Sequence, residues 1–285
     1  MSARTRPGPL VSAEWLEAHL GDPDLVVLEI SSSLPDEARW FERHIPGSRY
    51  VYWKDLCWDD TDREFPSPEE MAARLGALGV GDDTVAVLAG DPIQFATYAY
   101  WVATMAGLEE RVTVLDGGSR TWIAEGRPST DADPGPPTAR PLTPGTADVT
   151  MRVGRDDVLA RLGAPDRALV DLRSDEEYAG ERVSPDWYPV DYGAERKGRI
   201  PGALHLYYRR LLDPDERFLS RDEIEAAFAD IGATRDREVV TYCRLSHRAS
   251  LGWFALTRLS DRSAVRVYDG SWTEWGSIVG VPIDR

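Results

Sequence analysis

Short, continuously apolar runs alternate along this chain with stretches of helical spacing. In the first half the runs are Leu25-Val26-Val27-Leu28 and Val85-Ala86-Val87-Leu88; in the second, Ala168-Leu169-Val170-Asp171 and Val239-Val240-Thr241-Tyr242. Between and after them, segments such as 68–75, 95–102 and 224–228 place apolar residues at helical intervals. Strands that are apolar at successive positions have no solvent-facing side, so they predict a mostly parallel sheet covered by helices on both faces. The fold class expected is therefore α/β.

The pattern also repeats. Asp116-Gly117-Gly118-Ser119-Arg120-Thr121-Trp122 is echoed by Asp269-Gly270-Ser271-Trp272-Thr273-Glu274-Trp275, and His44-Ile45-Pro46-Gly47 by Arg199-Ile200-Pro201-Gly202, at offsets of 153 and 155. Each Asp-Gly turn follows a short strand pattern, at 112–115 and 265–268. Matches at nearly one offset imply a duplicated domain, with a period far longer than that of solenoid repeats. The Pro/Gly/Thr-rich stretch from Pro128 to Gly145 separates the copies and reads as a linker. The expected division is 10–128, a linker over 129–147, and 148–285.

Composition narrows the class. At 285 residues, 42% hydrophobic and 29% charged, the chain reads as a folded globular protein of two ordinary domains. No apolar run reaches the roughly 18 residues that span a bilayer, and no hydrophobic segment follows the basic N-terminus, so neither a membrane nor secretion is expected. A net charge of −16 argues against nucleic acid, and any anionic substrate must be drawn in by a local positive site. With only Cys57 and Cys243 present, in unlike contexts, a disulfide framework is excluded and a cytoplasmic setting is expected. Four histidines show no metal-ligand spacing with the cysteines, so no metal and no organic cofactor is expected.

Cys243 carries the candidate chemistry. It closes a strand pattern and opens Cys243-Arg244-Leu245-Ser246-His247-Arg248, which leads into the helical Ala249–Leu256. Loop amides and the helix dipole at such a position favour negative charge, and two arginines add to it, so the arrangement favours a nucleophilic thiolate. Arg244 and Arg248 are the candidates for holding substrate oxyanions, since an arginine fork suits them. Leu245, Ser246 and His247 complete the substrate-binding loop through their backbone; His247 could also tune a proton near neutrality or simply face solvent. Asp171, with Arg173 two residues on, reads as structural support. Sliding one strand onto the other sets Val239–Arg244 against Val85–Gly90, putting Ala89 at the nucleophile position of the first copy, so thiol chemistry belongs to the second half alone. Asp171 to Ile200 spans 29 positions against 16 from Glu29 to Ile45, and the excess loop, 181–197, holds Arg182, Arg196 and Lys197, each read first as part of a solvated surface loop and otherwise as a further anion attractor. Cys57, beside Trp58 and without a basic loop, reads as packing.

These residues resemble the tandem-domain rhodaneses of bacterial type, the thiosulfate sulfurtransferases. The resemblance covers nearly the whole chain: a first domain without the cysteine, a linker, the Cys243–Arg248 loop, the Ile-Pro-Gly elements, and the ending Tyr268-Asp269-Gly270-Ser271-Trp272-Thr273-Glu274-Trp275-Gly276. It implies two tandem rhodanese-like domains, each a mostly parallel sheet flanked by helices. It further implies that Cys243 takes the outer sulfur of thiosulfate, releases sulfite, and passes the persulfide sulfur to cyanide, a cellular thiol or a thioredoxin-like protein. Three departures stand out. The fourth loop position is Ser246, where family loops often carry Gly. Leu245 stands where animal enzymes have Lys, and Glu177 where they have Arg; those two substrate contacts are not carried over. Two rivals remain open, a 3-mercaptopyruvate sulfurtransferase and a protein-to-protein sulfur relay carrier. Phosphatase chemistry is disfavoured, because related phosphate loops place five residues between Cys and Arg and this loop has four.

Overall fold

A computed structural model describes residues 7–59, 61–185 and 190–285. The chain forms two compact units, one comprising residues up to Asp148 with Asp215–Arg217, the other Val149–Pro214 with Phe218–Arg285.

In the first unit five strands, β1 (Leu10–Val11), β2 (Leu25–Ser31), β3 (Arg49–Tyr52), β4 (Val85–Asp91) and β5 (Val112–Leu115), form a sheet in the order β1-β5-β4-β2-β3, with every pairing parallel. Five helices accompany it: α1 (Ala13–His19), α2 (Trp53–Cys57), α3 (Pro68–Ala77), α4 (Gln94–Met105) and α5 (Gly118–Ala124). Parallel neighbours need crossovers, and the helices supply them. Every residue of α4 is buried, consistent with its near-continuous apolar sequence. The helix α3 starts at a capping box: Ser67 Oγ accepts from the Glu70 amide while the Glu70 carboxylate accepts from the Ser67 amide.

The second unit repeats the plan. Its strands β6 (Arg152–Val153), β7 (Arg167–Asp171), β8 (Leu204–His205), β9 (Glu238–Tyr242) and β10 (Val265–Tyr268) lie in the order β6-β10-β9-β7-β8, again all parallel. The helices are α6 (Arg155–Ala160), α7 (Asp175–Ala179), α8 (Arg221–Asp230), α9 (His247–Phe254) and α10 (Ser271–Trp275). Tyr242, Tyr268, Trp272 and Trp275, each 0% exposed, dominate one core cluster. The central strands β9 and β7 present their carboxyl ends where a ligand site forms in open α/β sheets.

The two sheets superpose strand for strand, and the pairing register corrects one expectation. Ala86 pairs with Val112 in β4·β5, and Val239 with Val265 in β9·β10. Both pairs differ by 153, so the counterpart of Cys243 is Gly90 and that of Tyr242 is Ala89. The same offset of 153 separates Asp116 from Asp269, whereas matching the apolar strand starts Val85–Leu88 and Val239–Tyr242 sets the copies one residue short.

The Pro-rich stretch 129–147 holds no regular element beyond a bridge of Thr130 to His44, yet it lies against the first unit. The Arg140 amide donates to Gly76 O (2.9 Å), its guanidinium to Thr84 Oγ1 (2.6 Å), and the Thr143 amide to Asp82 Oδ1 (2.9 Å). Gly145 and Gly107 approach so closely that a Cβ on Gly145 would lie 2.3 Å from Gly107 O. Among the described residues no helix is long and apolar enough to cross a membrane, and no three His, Cys, Asp or Glu side chains form a metal-binding group.

Candidate active site

Cys243 directly follows β9 and is buried, 1% exposed. The surrounding backbone is pinned from one side by α10. The Cys243 amide donates to Ser271 Oγ (3.2 Å), the Trp272 amide to Cys243 O (2.9 Å), and both the amide and the hydroxyl of Thr273 to Arg244 O (3.0 and 2.8 Å). Ser271 holds φ +50°, a left-handed conformation at which its repeat partner is Gly118. From the other side Thr241 Oγ1 donates to Ala249 O (3.0 Å), tying β9 to the first turn of α9.

The loop turns into α9 through Ser246, also left-handed, at φ +70°. A non-glycine residue there carries strain, and the surroundings hold it in place. Ser246 is fully buried; its Oγ donates to Asp269 O and lies 3.0 Å from Asp269 Oδ1. The Ser246 side chain therefore makes no N-cap bond to α9. The first-turn amides of a helix have no intrahelical acceptor, and the Ser246 side chain takes none of them. That leaves a positively polarised helix end adjoining Cys243 in sequence, suited to a thiolate, a persulfide or a departing anion.

Arg248 requires a correction. Its guanidinium forms a two-pronged pair with Glu177, Nη1 to Oε2 at 2.6 Å and Nη2 to Oε1 at 2.9 Å, and both side chains are buried. Burial alone would lower the Arg248 pKa, but the Glu177 charge and hydrogen bonds, with Cys243 adding to them, leave it above the ordinary guanidinium value. Burial would likewise raise Glu177, yet Arg248, helped by Arg173 and the Ser174 amide, holds its carboxyl below the usual range. With both terminal nitrogens bonded to a carboxylate, Arg248 ties the loop to α7 and is not the free oxyanion fork expected from the sequence. Glu177 also closes a capping box with Ser174 at the start of α7, so one carboxylate fixes both the helix and the loop. Ser246 keeps the backbone role expected of it, since its hydroxyl serves Asp269.

Arg244 and Leu245 are half-buried, as is His247, the first residue of α9. Arg244 Nε donates to Tyr192 O (3.2 Å) and its guanidinium stands 5.0 Å above the Tyr192 ring. Gly193 packs against the same group; a Cβ there would fall 2.5 Å from Arg244 Nη2. The long loop thus reaches the site through Tyr192 and Gly193, which the sequence reading missed. Of the basic residues expected to attract anions, Arg196 donates to the carbonyls of Trp275, Ile278 and Val281, and Lys197 to Glu181 O. Both hold the unit together. Residues 186–189 of that loop lie outside the described residues.

Asp171 and Arg173 are each 0% exposed. Arg173 Nη2 donates to Asp171 Oδ2 (2.6 Å) and to Gly198 O (2.8 Å), and the guanidinium lies 4.4 Å from the Trp272 ring. Because Trp272 bonds Cys243 O, this pair braces the loop from beneath.

The first unit shows the same loop closed. Residues Gly90–Phe95 correspond to Cys243–Arg248 without insertion, and a Cβ on Gly90 would meet Pro92 O, Ile93 Cα and the Ala96 amide at 2.7–2.9 Å. A cysteine would not fit there unless the loop moved. Cys57, the other thiol, is fully buried, and burial raises its pKa far above the ordinary thiol value.

A duplicated parallel fold with a cysteine loop between a central strand and a helix N-terminus defines a rhodanese-type protein. The rhodanese-like domain model matches residues 12–125 and again 155–278, and the chain belongs to the rhodanese family. It is 40% identical over 283 residues to the sulfur carrier protein TtuD of Thermus thermophilus, covering 98% of this chain and 97% of that protein. It is also 40% identical to a Mycobacterium tuberculosis protein provisionally named thiosulfate sulfurtransferase SseA, covering 99% and 93%. Among solved structures, wild-type EanB overlays with a TM-score of 0.79 at 26% identity, covering 97% of this chain and 69% of that one. The chain is thus a tandem-domain member of the sulfurtransferase group.

Proposed function

We propose that this protein carries sulfane sulfur on Cys243, with thiosulfate as donor and cyanide, a cellular thiol or a thioredoxin-like protein as acceptor, in the cytoplasm and without a cofactor. The catalytic part is 148–285, with 10–128 a domain lacking the cysteine and 129–147 the linker. The observation that carries this reading is the placement of Cys243 directly after β9, in the loop that leads into the N-terminus of α9.

The steps balance without an external oxidant. The Cys243 thiolate attacks the outer sulfur of thiosulfate; a new S–S bond forms as the original one breaks, and sulfite leaves with the electron pair. Cyanide then attacks the terminal sulfur, thiocyanate leaves, and the thiolate returns. The first-turn amides of α9 offer fixed donors for the anionic persulfide, which lowers the barrier because they need no reorganisation. Arg244, held by Tyr192, supplies the positive charge that draws an anion to a chain of net charge −16.

The full-length likeness to a protein named as a sulfur carrier favours a second reading, in which the acceptor is another protein. A structure of an EanB variant contains a cysteine persulfide with ergothioneine, which supports the persulfide as the common intermediate. The 3-mercaptopyruvate alternative is tested in the same assay. Thiosulfate and 3-mercaptopyruvate are offered separately with cyanide, and thiocyanate is measured. Faster turnover of thiosulfate supports the reading; turnover of 3-mercaptopyruvate alone overturns the donor assignment.

A further inference from the structure

The two units share a backbone but not the contents of one region. Beneath the catalytic loop of the second unit, the Asp171 carboxylate meets the Arg173 guanidinium, which lies against the Trp272 ring, with Tyr242 alongside. The strand registers give each of these a counterpart in the first unit: Asp171 corresponds to Glu29, Arg173 to Ser31, Tyr242 to Ala89 and Trp272 to Ser119. The carboxylate is retained while a guanidinium, an indole and a phenol become small side chains.

The result is a cavity of about 410 Å³, lined by Glu29, Ser31, Trp40 and Ser119 and bordered by the exposed Arg39 and Arg43. Glu29 is 5% exposed and its orientation is fixed: Oε1 accepts from the Ile45 amide (2.8 Å) and from Ser48 Oγ (2.7 Å). Trp40 is held by the same hydroxyl, its Nε1 donating to Ser48 Oγ at 2.9 Å, and by stacking on His44 at 4.0 Å. Burial of a carboxylate without a cation is unfavourable, and a pocket with a few convergent, oriented polar groups is the usual form of a small-molecule site. Burial raises the Glu29 pKa to about 7, more than the bonds from Ser48 and Ile45 offset, and the Asp91 charge adds to the rise.

We propose that this cavity binds a small zwitterion whose planar guanidinium or amidinium head meets Glu29, where the second unit places its own Arg173, and whose carboxylate tail meets Arg39 and Arg43. The head replaces the guanidinium lost at Ser31, and the space left by the indole at Ser119 admits the rest of the molecule. The site is independent of the sulfur chemistry at Cys243.

The test is calorimetric titration of the full-length protein with free L-arginine as the probe. Saturable binding is expected, with a dissociation constant on the order of 1 mM or tighter. Citrulline, which lacks the cation, should not bind, and agmatine, which lacks the carboxylate, should bind more weakly than arginine. Glu29→Gln should weaken arginine binding by about tenfold or more, the loss of one charged contact. Ser119→Trp and Ser31→Arg, which restore the second unit's side chains, should abolish it. Persulfide formation at Cys243, read by intact mass, should be unchanged in all three variants, which separates this site from the sulfur-transfer reading, and their far-UV circular dichroism should match the unaltered protein, which shows that the first unit folds. No saturable binding of arginine to the unaltered protein would overturn the proposal. So would binding equal to arginine's by citrulline or agmatine, or full affinity in Ser119→Trp and Ser31→Arg.

Discussion

Replacing Glu177 is the sharpest probe of how the Cys243–Arg248 loop is held. Its carboxylate accepts from Arg248 at 2.6 and 2.9 Å with both side chains almost wholly out of water, and from the Ser174 amide at 3.1 Å. Removing one partner of such a pair leaves the other charge buried alone, a loss of about 3–5 kcal/mol. Glu177→Ala also opens the capping box of α7, worth about 1 kcal/mol more. Arg248→Met should cost about the same as the first term, because the carboxylate is then stranded. The double variant Glu177→Leu/Arg248→Met removes both charges and keeps the volume, so it should be less destabilised than either single variant. Urea unfolding followed by tryptophan fluorescence measures all three. Thiosulfate turnover by Glu177→Ala should fall by about a hundredfold if the loop shifts by about 1 Å. Single variants that each lose under about 1 kcal/mol, with additive losses in the double variant, would refute the role of the pair.

Two further outcomes follow from the same geometry. The Glu29 carboxyl has its pKa raised from 4.5 to about 7 in the folded protein, so the native state binds the extra proton. Its contribution is therefore fully present below about pH 4.5 and is lost as pH rises through about 7. The difference amounts to about 3 kcal/mol; Glu29→Gln should flatten the stability profile between pH 5 and 8, and an unchanged slope would contradict the assignment. At Ser246, φ +70° disfavours a β-branched side chain. Ser246→Val should lower stability by about 2 kcal/mol and slow sulfur transfer, whereas Ser246→Gly should keep the fold; equal stability of the two variants in thermal unfolding would show that the turn is not strained.

Much of this architecture was legible in the chain. The apolar runs gave the parallel strands because a two-sided buried strand has no polar face to show. The Asp-Gly-x motif at two places gave the duplication because its left-handed residue, Gly118 or Ser271, restricts what the sequence can be. What escaped was set by long-range pairing. The counterpart of Cys243 is fixed by the strand register, which apolar similarity at the strand starts does not reveal. Glu177 and Arg248 lie 71 residues apart, so nothing local distinguishes an arginine that anchors from one that binds. The approach of Tyr192 and Gly193 to Arg244 likewise depends on how an irregular loop folds back. The repeat did hold one unused signal. Ser31 and Ser119 stand where the second unit has Arg173 and Trp272, and the strand registers of the two copies place the pocket there.

The central claim is that Cys243 alone accepts sulfur. Intact-mass measurement after brief exposure of the full-length protein to thiosulfate tests it most directly. The account predicts a gain of about one sulfur atom, abolished by cyanide with release of thiocyanate, present in Cys57→Ala and absent in Cys243→Ala. A sulfur adduct that survives Cys243→Ala, or none on the unaltered protein, would contradict it.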